Sequence, residues 1–200
     1  MRKRTIRFAL ALFLCACCSA APASAHLVQT GFGTLYDGIA HLVLTPGDLL
    51  VVLGLGLLAG LRGAATARAL ASALAGAWLC ACLLGAMWPV AGELAWASAL
   101  SVPLCGALVA SNAELTRRPA ALLAALVGAL HGYANGATMR PFDALALLGA
   151  LLAGFTLVTL SAALVVELRL GWQRIAVRVA GSWIAAIGFL LLGWQVRARS

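Results

Sequence analysis

The chain has 200 residues, of which 64% are hydrophobic and only 10% are charged. Soluble domains carry about 25% charged residues, so this chain has too little polar surface to cover a water-soluble globule. The net charge of +8 does not indicate a nucleic-acid partner, because the arginines lie between apolar stretches and not on one polar face. Composition therefore predicts an all-α membrane protein whose main partner is the lipid bilayer.

Residues 1–25 are typical of a secretory signal peptide. Basic residues come first, an apolar core follows over 8–18, and an A-x-A cleavage site lies at 23–25. Cleavage would leave His26 as the mature N-terminus on the periplasmic side of the membrane. An alternative interpretation reads residues 14–17 as a lipoprotein box, although the apolar core before it would be short.

Residues 26–200 are interpreted as a single polytopic domain, a bundle of about six transmembrane helices separated by polar or charged breaks. A membrane crossing needs about 20 apolar residues. The first and fourth apolar stretches are short by that measure, and both are where polar residues collect. The spans are predicted at residues 47–61, 67–88, 94–111, 120–134, 142–166 and 175–196.

The arginines predict the orientation of the bundle. With the mature N-terminus outside, each of the three loops that face the cytoplasm carries at least two arginines, whereas the loop between spans two and three carries none. This bias fits the positive-inside rule and agrees with the signal peptide. We therefore expect a multi-pass protein of the bacterial inner (plasma) membrane. The cytoplasmic arginines are Arg62, Arg68, Arg117, Arg118, Arg169 and Arg174.

Glycines predict close contacts between helices. Gly128, Gly132 and Gly136 recur every four residues, and Gly56 and Gly60 repeat the spacing in span one. A stripe of small residues lets another helix approach closely in a membrane. This stripe, termed the glycine seam, would serve equally well for contacts within one chain, in a homo-oligomer, or with a membrane partner.

Ionisable side chains inside a membrane are costly and therefore informative. On one continuous helix, Asp37, His41 and Asp48 would lie within roughly 40° of each other. Pro46 and Gly47 are expected to interrupt such a helix, so the common face is a hypothesis. Asp48 is equally well explained as a first-turn acid at the positive end of span one.

A second polar group lies in span four, where His131 and Asn135 are four residues apart on one face. A lone histidine could simply bond a backbone carbonyl across a helix interface, but the pair beside a glycine seam favours a lined polar cavity. The predicted topology brings this face and the start of span one to the periplasmic end of the bundle. The predicted metal ligands are His26, Asp37, His41, Asp48, His131 and Asn135.

Neutral imidazoles and carboxylates are suitable ligands for a first-row divalent cation such as Ni²⁺ or Co²⁺. The ion would be transported cargo, and we predict no permanently bound cofactor. No nucleotide-binding motif is present in the sequence, so uptake would use an ion gradient or the membrane potential, which contributes about 2.3 kcal/mol per charge per 100 mV, unless a partner protein supplies the energy.

An intramembrane enzyme is a less favoured interpretation than a metal permease. Ser161 and His131 could serve as nucleophile and base, but no nucleophile motif surrounds either residue. Cys80 and Cys82 lie two apart and do not face each other on a helix, so they are interpreted as packing residues. We predict no enzymatic activity.

Two segments of the chain resemble a known family. Residues 25–50 contain A-H, G-F, G-I-A-H and G-D-L-L in order, and residues 131–137 read H-G-Y-A-N-G-A. Both resemble signatures of the HupE/UreJ family, and the chain length and six spans are also similar. The resemblance implies a nickel or cobalt permease associated with hydrogenase or urease maturation.

The chain departs from the family's signatures at ligand positions. The first signature is H-x5-D-H, but here six residues separate His41 from Asp48, and Leu49 stands where a second histidine is expected. In the second signature, Asn135 replaces a histidine and Thr138 replaces an acid. An amide oxygen is a poorer ligand for nickel than an imidazole. These losses motivate an alternative function, a non-transporting membrane accessory or scaffold protein descended from a permease.

Overall fold

The structure is a computed structural model that describes residues 29–89, 94–139 and 142–197. The predicted signal peptide and His26 lie outside these residues. Every regular element within them is an α-helix, which confirms the all-α fold. The helices are α1 (Thr34–Leu44), α2 (Pro46–Arg62), α3 (Ala64–Met87), α4 (Leu94–Ala110), α5 (Arg117–Thr138), α6 (Ala144–Val166) and α7 (Gly171–Arg197).

Four of the described helices, α3, α5, α6 and α7, are long and apolar enough to cross a membrane. Helices α1 and α2 qualify together as a fifth span that is bent by 75°. Helix α4 has 17 residues, which corresponds to about 25 Å and falls short of a hydrocarbon core of about 30 Å. By length and composition the structure thus offers four to five spans and one shorter apolar helix, where six spans were expected.

The bend between α1 and α2 follows from the local sequence. Pro46 is the first residue of α2, a position that suits its fixed φ and missing N–H, and a proline disfavours helical geometry in the residue before it. Thr45 is accordingly extended, with φ −91° and ψ 101°. Because of this break, Asp37 and Asp48 do not share one helical face. Asp48 lies in the first turn of α2, where the positive helix end favours a carboxylate.

Helix α2 is the central element of the bundle. It contacts every other helix, and its side chains Val51, Val52, Leu55 and Leu58 have no exposed surface. Around it, α3 pairs with α5, α4 pairs with α7, and α1 lies along α6. Large apolar side chains also cover the outside of the bundle, as in Trp183, which is 67% exposed. An apolar surface of this kind suits lipid and not water.

Glycines bring the backbones of α3 and α5 into contact. A Cβ atom added at Gly132 would collide with the carbonyl of Trp78, and one added at Gly136 would collide with that of Cys82. The glycine seam predicted in span four is therefore a close helix contact within the chain. This contact fixes the position of α5, which carries His131 into the interior.

We expect Gly132→Ala to lower the free energy of unfolding by about 1–3 kcal/mol, the usual cost of an overpacked interior. Gly76→Ala is the matched control, because a Cβ atom there meets no atom within 4 Å. Thermal or denaturant unfolding of the purified protein in detergent measures both variants. Equal midpoints for the two variants would contradict the close contact at the seam.

Candidate functional site

Four helices bring polar side chains together in the interior of the bundle. The polar cluster consists of His41 from α1, Asp48 from α2, Ser101 from α4, and His131 and Asn135 from α5. The side chains at its centre are buried, since Asp48, His131 and Ser101 are only 5%, 3% and 5% exposed. His41 and Asn135 are half-buried. Four of the six predicted ligands therefore lie in one group.

Asp48 and His131 form the centre of the polar cluster. Oδ1 of Asp48 lies 2.5 Å from Nδ1 of His131. An ionised carboxylate can only accept, so the imidazole donates through Nδ1–H. The ring also stacks on Trp78, with centroids 5.8 Å apart and planes at 30°. The imidazole is therefore held along one edge by a carboxylate and on one face by an indole.

Asn135 links this pair to the second histidine. Its Nδ2 lies 2.9 Å from Oδ2 of Asp48 and 2.8 Å from the carbonyl oxygen of His131. Both of those atoms are acceptors, so the amide nitrogen must face them. The amide oxygen then faces His41, whose Nε2 lies 2.6 Å away and donates to it. Asn135 is thus a hydrogen-bonded bridge, and its oxygen, the atom expected to bind a metal, is already engaged.

Ser101 completes the polar cluster and was not expected from the sequence. Its Oγ lies 2.8 Å from Nε2 of His131 and 2.7 Å from the carbonyl oxygen of Ser98. The only signal in the sequence is that Ser98 and Ser101 are three residues apart, which puts both on one face of α4. Small hydroxyl residues are common in apolar helices, so this signal alone does not indicate a site.

Two other residues singled out in the sequence, Asp37 and Ser161, do not join the polar cluster. Oδ1 of Asp37 instead accepts from the backbone N–H and the hydroxyl of Thr30, at 2.6 and 2.7 Å. Asp37 therefore fastens the segment before α1 to its first turn. The hydroxyl of Ser161 donates to the carbonyl of Leu157 in its own helix, at 2.7 Å. His26 lies outside the described residues.

The polar cluster contains nitrogen and oxygen atoms that suit a metal ion, but most of them are already engaged in hydrogen bonds with one another. Both ring nitrogens of His131 and one of His41 are engaged. Among residues 29–89, 94–139 and 142–197, no three His, Cys, Asp or Glu side chains are grouped to hold a metal ion. A cation would therefore have to replace hydrogen bonds of Asn135 or His131 in order to bind.

Comparison with known proteins agrees with the two signature segments. The family model described as "HupE / UreJ protein" matches residues 13–191, a range that includes every residue of the polar cluster. No curated protein and no solved structure matches the chain. The family match covers most of the sequence, and the described helices are those of a multi-pass membrane protein. This chain belongs to the HupE/UreJ family.

Proposed function

We propose that the protein is a permease for a divalent transition-metal cation, Ni²⁺ or Co²⁺, and that it supplies the maturation of metalloenzymes. The polar cluster carries this proposal. Ionisable residues buried inside a membrane protein are rare and mark ion pathways, and the Asp48 carboxylate is buried in the interior of the bundle. Here Asp48 is accompanied by two imidazoles, which are good ligands for nickel and cobalt. Family membership supports the same class of cargo.

The burial of the polar cluster suggests the route of a cation. His41 is half-buried at the bend between α1 and α2, whereas His131 lies deeper and is only 3% exposed. We infer that the cation meets His41 first and then reaches Asp48, whose negative charge offsets that of the ion. A site that coordinates incompletely releases its ion more readily than a closed cage, as transport requires.

A scaffold without transport is the second candidate. The observation that favours it is Asn135, which stands at a position where the family has histidine and whose amide joins Asp48 to His41 by hydrogen bonds. A polar cluster that is satisfied by its own hydrogen bonds can hold four helices together without any ion. This candidate predicts a protein that purifies without metal and in a stable complex with a membrane partner.

We expect the double variant His41→Gln/His131→Gln to lose at least about 90% of Ni²⁺ or Co²⁺ uptake at subsaturating metal, because loss of even the outer partners of metal ligands costs 10–100-fold in affinity. The single variant His131→Ala is expected to lose uptake as well. Radiotracer uptake into membrane vesicles, with protein amount measured by immunoblot, tests this. Unchanged uptake in the double variant would exclude the permease.

Two aspartates allow a matched comparison of carboxylates. Asp48→Asn removes the charge beside His131, whereas Asp37→Asn removes a charge that is bonded to Thr30. We expect the first change to reduce uptake by roughly tenfold or more and the second to leave it near that of the wild type. The same radiotracer assay measures both. Equal effects would show that position in the polar cluster is unimportant.

We expect Asn135→His to raise the affinity for Ni²⁺ at least about tenfold, or about 1.4 kcal/mol, because it adds an imidazole beside Asp48. Equilibrium dialysis of the purified protein with metal analysis measures the affinity. Ser111→His, in the exposed turn after α4, is the control for an added surface histidine. A scaffold whose pocket no ion enters would show no gain in either variant.

A further inference from the structure

Ser101 holds the edge of the His131 ring that Asp48 does not reach. Nδ1 of the ring lies 2.5 Å from Asp48, and Nε2 lies 2.8 Å from the hydroxyl of Ser101. The two ring nitrogens point in different directions, so these bonds fix the rotation of the imidazole about its bond to Cβ. A ring turned over would place carbon atoms opposite both partners and would lose both hydrogen bonds.

The hydroxyl of Ser101 is itself held in place. Its Oγ lies 2.7 Å from the carbonyl oxygen of Ser98, one turn earlier in α4. The backbones of α4 and α7 are in direct contact at two glycines. A Cβ atom added at Gly106 or Gly188 would collide with the backbone of the other helix. The helix pair α4–α7 therefore supplies a rigid support for one side of the His131 ring.

We propose that Ser101 is a positioning residue of the cation site: its Oγ accepts a hydrogen bond from Nε2–H of His131, so that Nδ1 is the nitrogen that releases its proton to solvent and faces the cation beside Asp48. This inference rests on the proposed permease function. Histidines that bind metals commonly have the other ring nitrogen fixed by a hydrogen-bonded partner, and loss of that partner costs 10–100-fold in metal affinity. In this chain the partner would come from a helix that provides no ligand of its own.

Asp48, His131 and Ser101 form a hydrogen-bonded chain of carboxylate, imidazole and hydroxyl. The same order of groups occurs in the catalytic triad of serine hydrolases. Here Ser101 is only 5% exposed, and its Oγ is 2.7 Å from the carbonyl oxygen of Ser98. A nucleophile needs an open approach for the carbonyl group that it attacks. The enclosure of Ser101 favours a positioning role over a catalytic one.

The first test is Ni²⁺ uptake as a function of metal concentration. We expect Ser101→Ala to raise the half-saturating concentration at least about tenfold while most of the maximal rate remains, and Ser101→Thr to restore the wild-type value through its hydroxyl. Ser161→Ala is the matched control, because it also removes a buried hydroxyl. Among the described residues, that hydroxyl donates only to backbone carbonyls of its own helix. An unchanged half-saturating concentration in Ser101→Ala would overturn the proposal.

The second test needs no metal. The chain has three histidines, so protein labelled with ¹⁵N-histidine gives a simple spectrum in which His41→Gln helps to assign His131. We expect Ser101→Ala to shift the Nε2 resonance of His131 and Ser161→Ala to leave it in place. If Ser101→Ala does not accumulate, Ser101→Cys, with its weaker hydrogen bond, replaces it in both tests.

The two tests separate the possible failures. If the wild-type protein moves neither Ni²⁺ nor Co²⁺ but Ser101→Ala shifts the Nε2 resonance, the permease function is overturned. The hydrogen bond between Ser101 and His131 is then confirmed all the same. An Nε2 resonance that does not move overturns the role of Ser101, whatever the uptake. Covalent labelling of Ser101 by a fluorophosphonate probe would identify it as a nucleophile and would also overturn the positioning role.

Discussion

The hydrogen-bonded pair of Asp48 and His131 is the interaction on which the interior of this protein depends. A lone carboxylate or imidazole buried in an apolar bundle carries a large desolvation cost, and each offsets part of that cost for the other. Asn135 and Ser101 satisfy the remaining hydrogen-bonding atoms of the pair. Since these residues come from α2, α4 and α5, the pair ties the central helix to two of its neighbours.

The helices around this pair follow from properties that are readable in the sequence. Hydropathy located the apolar stretches, and Pro46 located the break between α1 and α2, because both signals act within a few residues of the chain. The four-residue spacing of Gly128, Gly132 and Gly136 likewise predicted a close helix contact. The lengths were less well predicted, since α5 runs over Arg117–Thr138 and the expected span covered only 120–134.

The membership of the polar cluster could be predicted only in part. His131 and Asn135 share a helical face, and that face was visible in their spacing. Asp37 was expected beside them, but the chain before α1 turns so that Thr30 reaches its carboxylate. Ser101 was missed because its contact with His131 depends on how α4 lies against α5, which no local pattern encodes. The orientation of the Asn135 amide likewise depends on acceptors from two separate helices.

The burial of the inward face of α2 has a kinetic consequence for the proposed permease. Between Asp48 and Arg62 the helix rises about 21 Å, and its inward side chains are apolar and fully enclosed. At the far end, Arg62 donates to Asn112 and adds a positive charge. In the proposed permease, an ion at Asp48 would meet this closely packed apolar column among the described residues and would advance only if helices separate. A permease built in this way would work as a carrier, with a turnover limited by helix movement and a steeper dependence on temperature than an open channel shows.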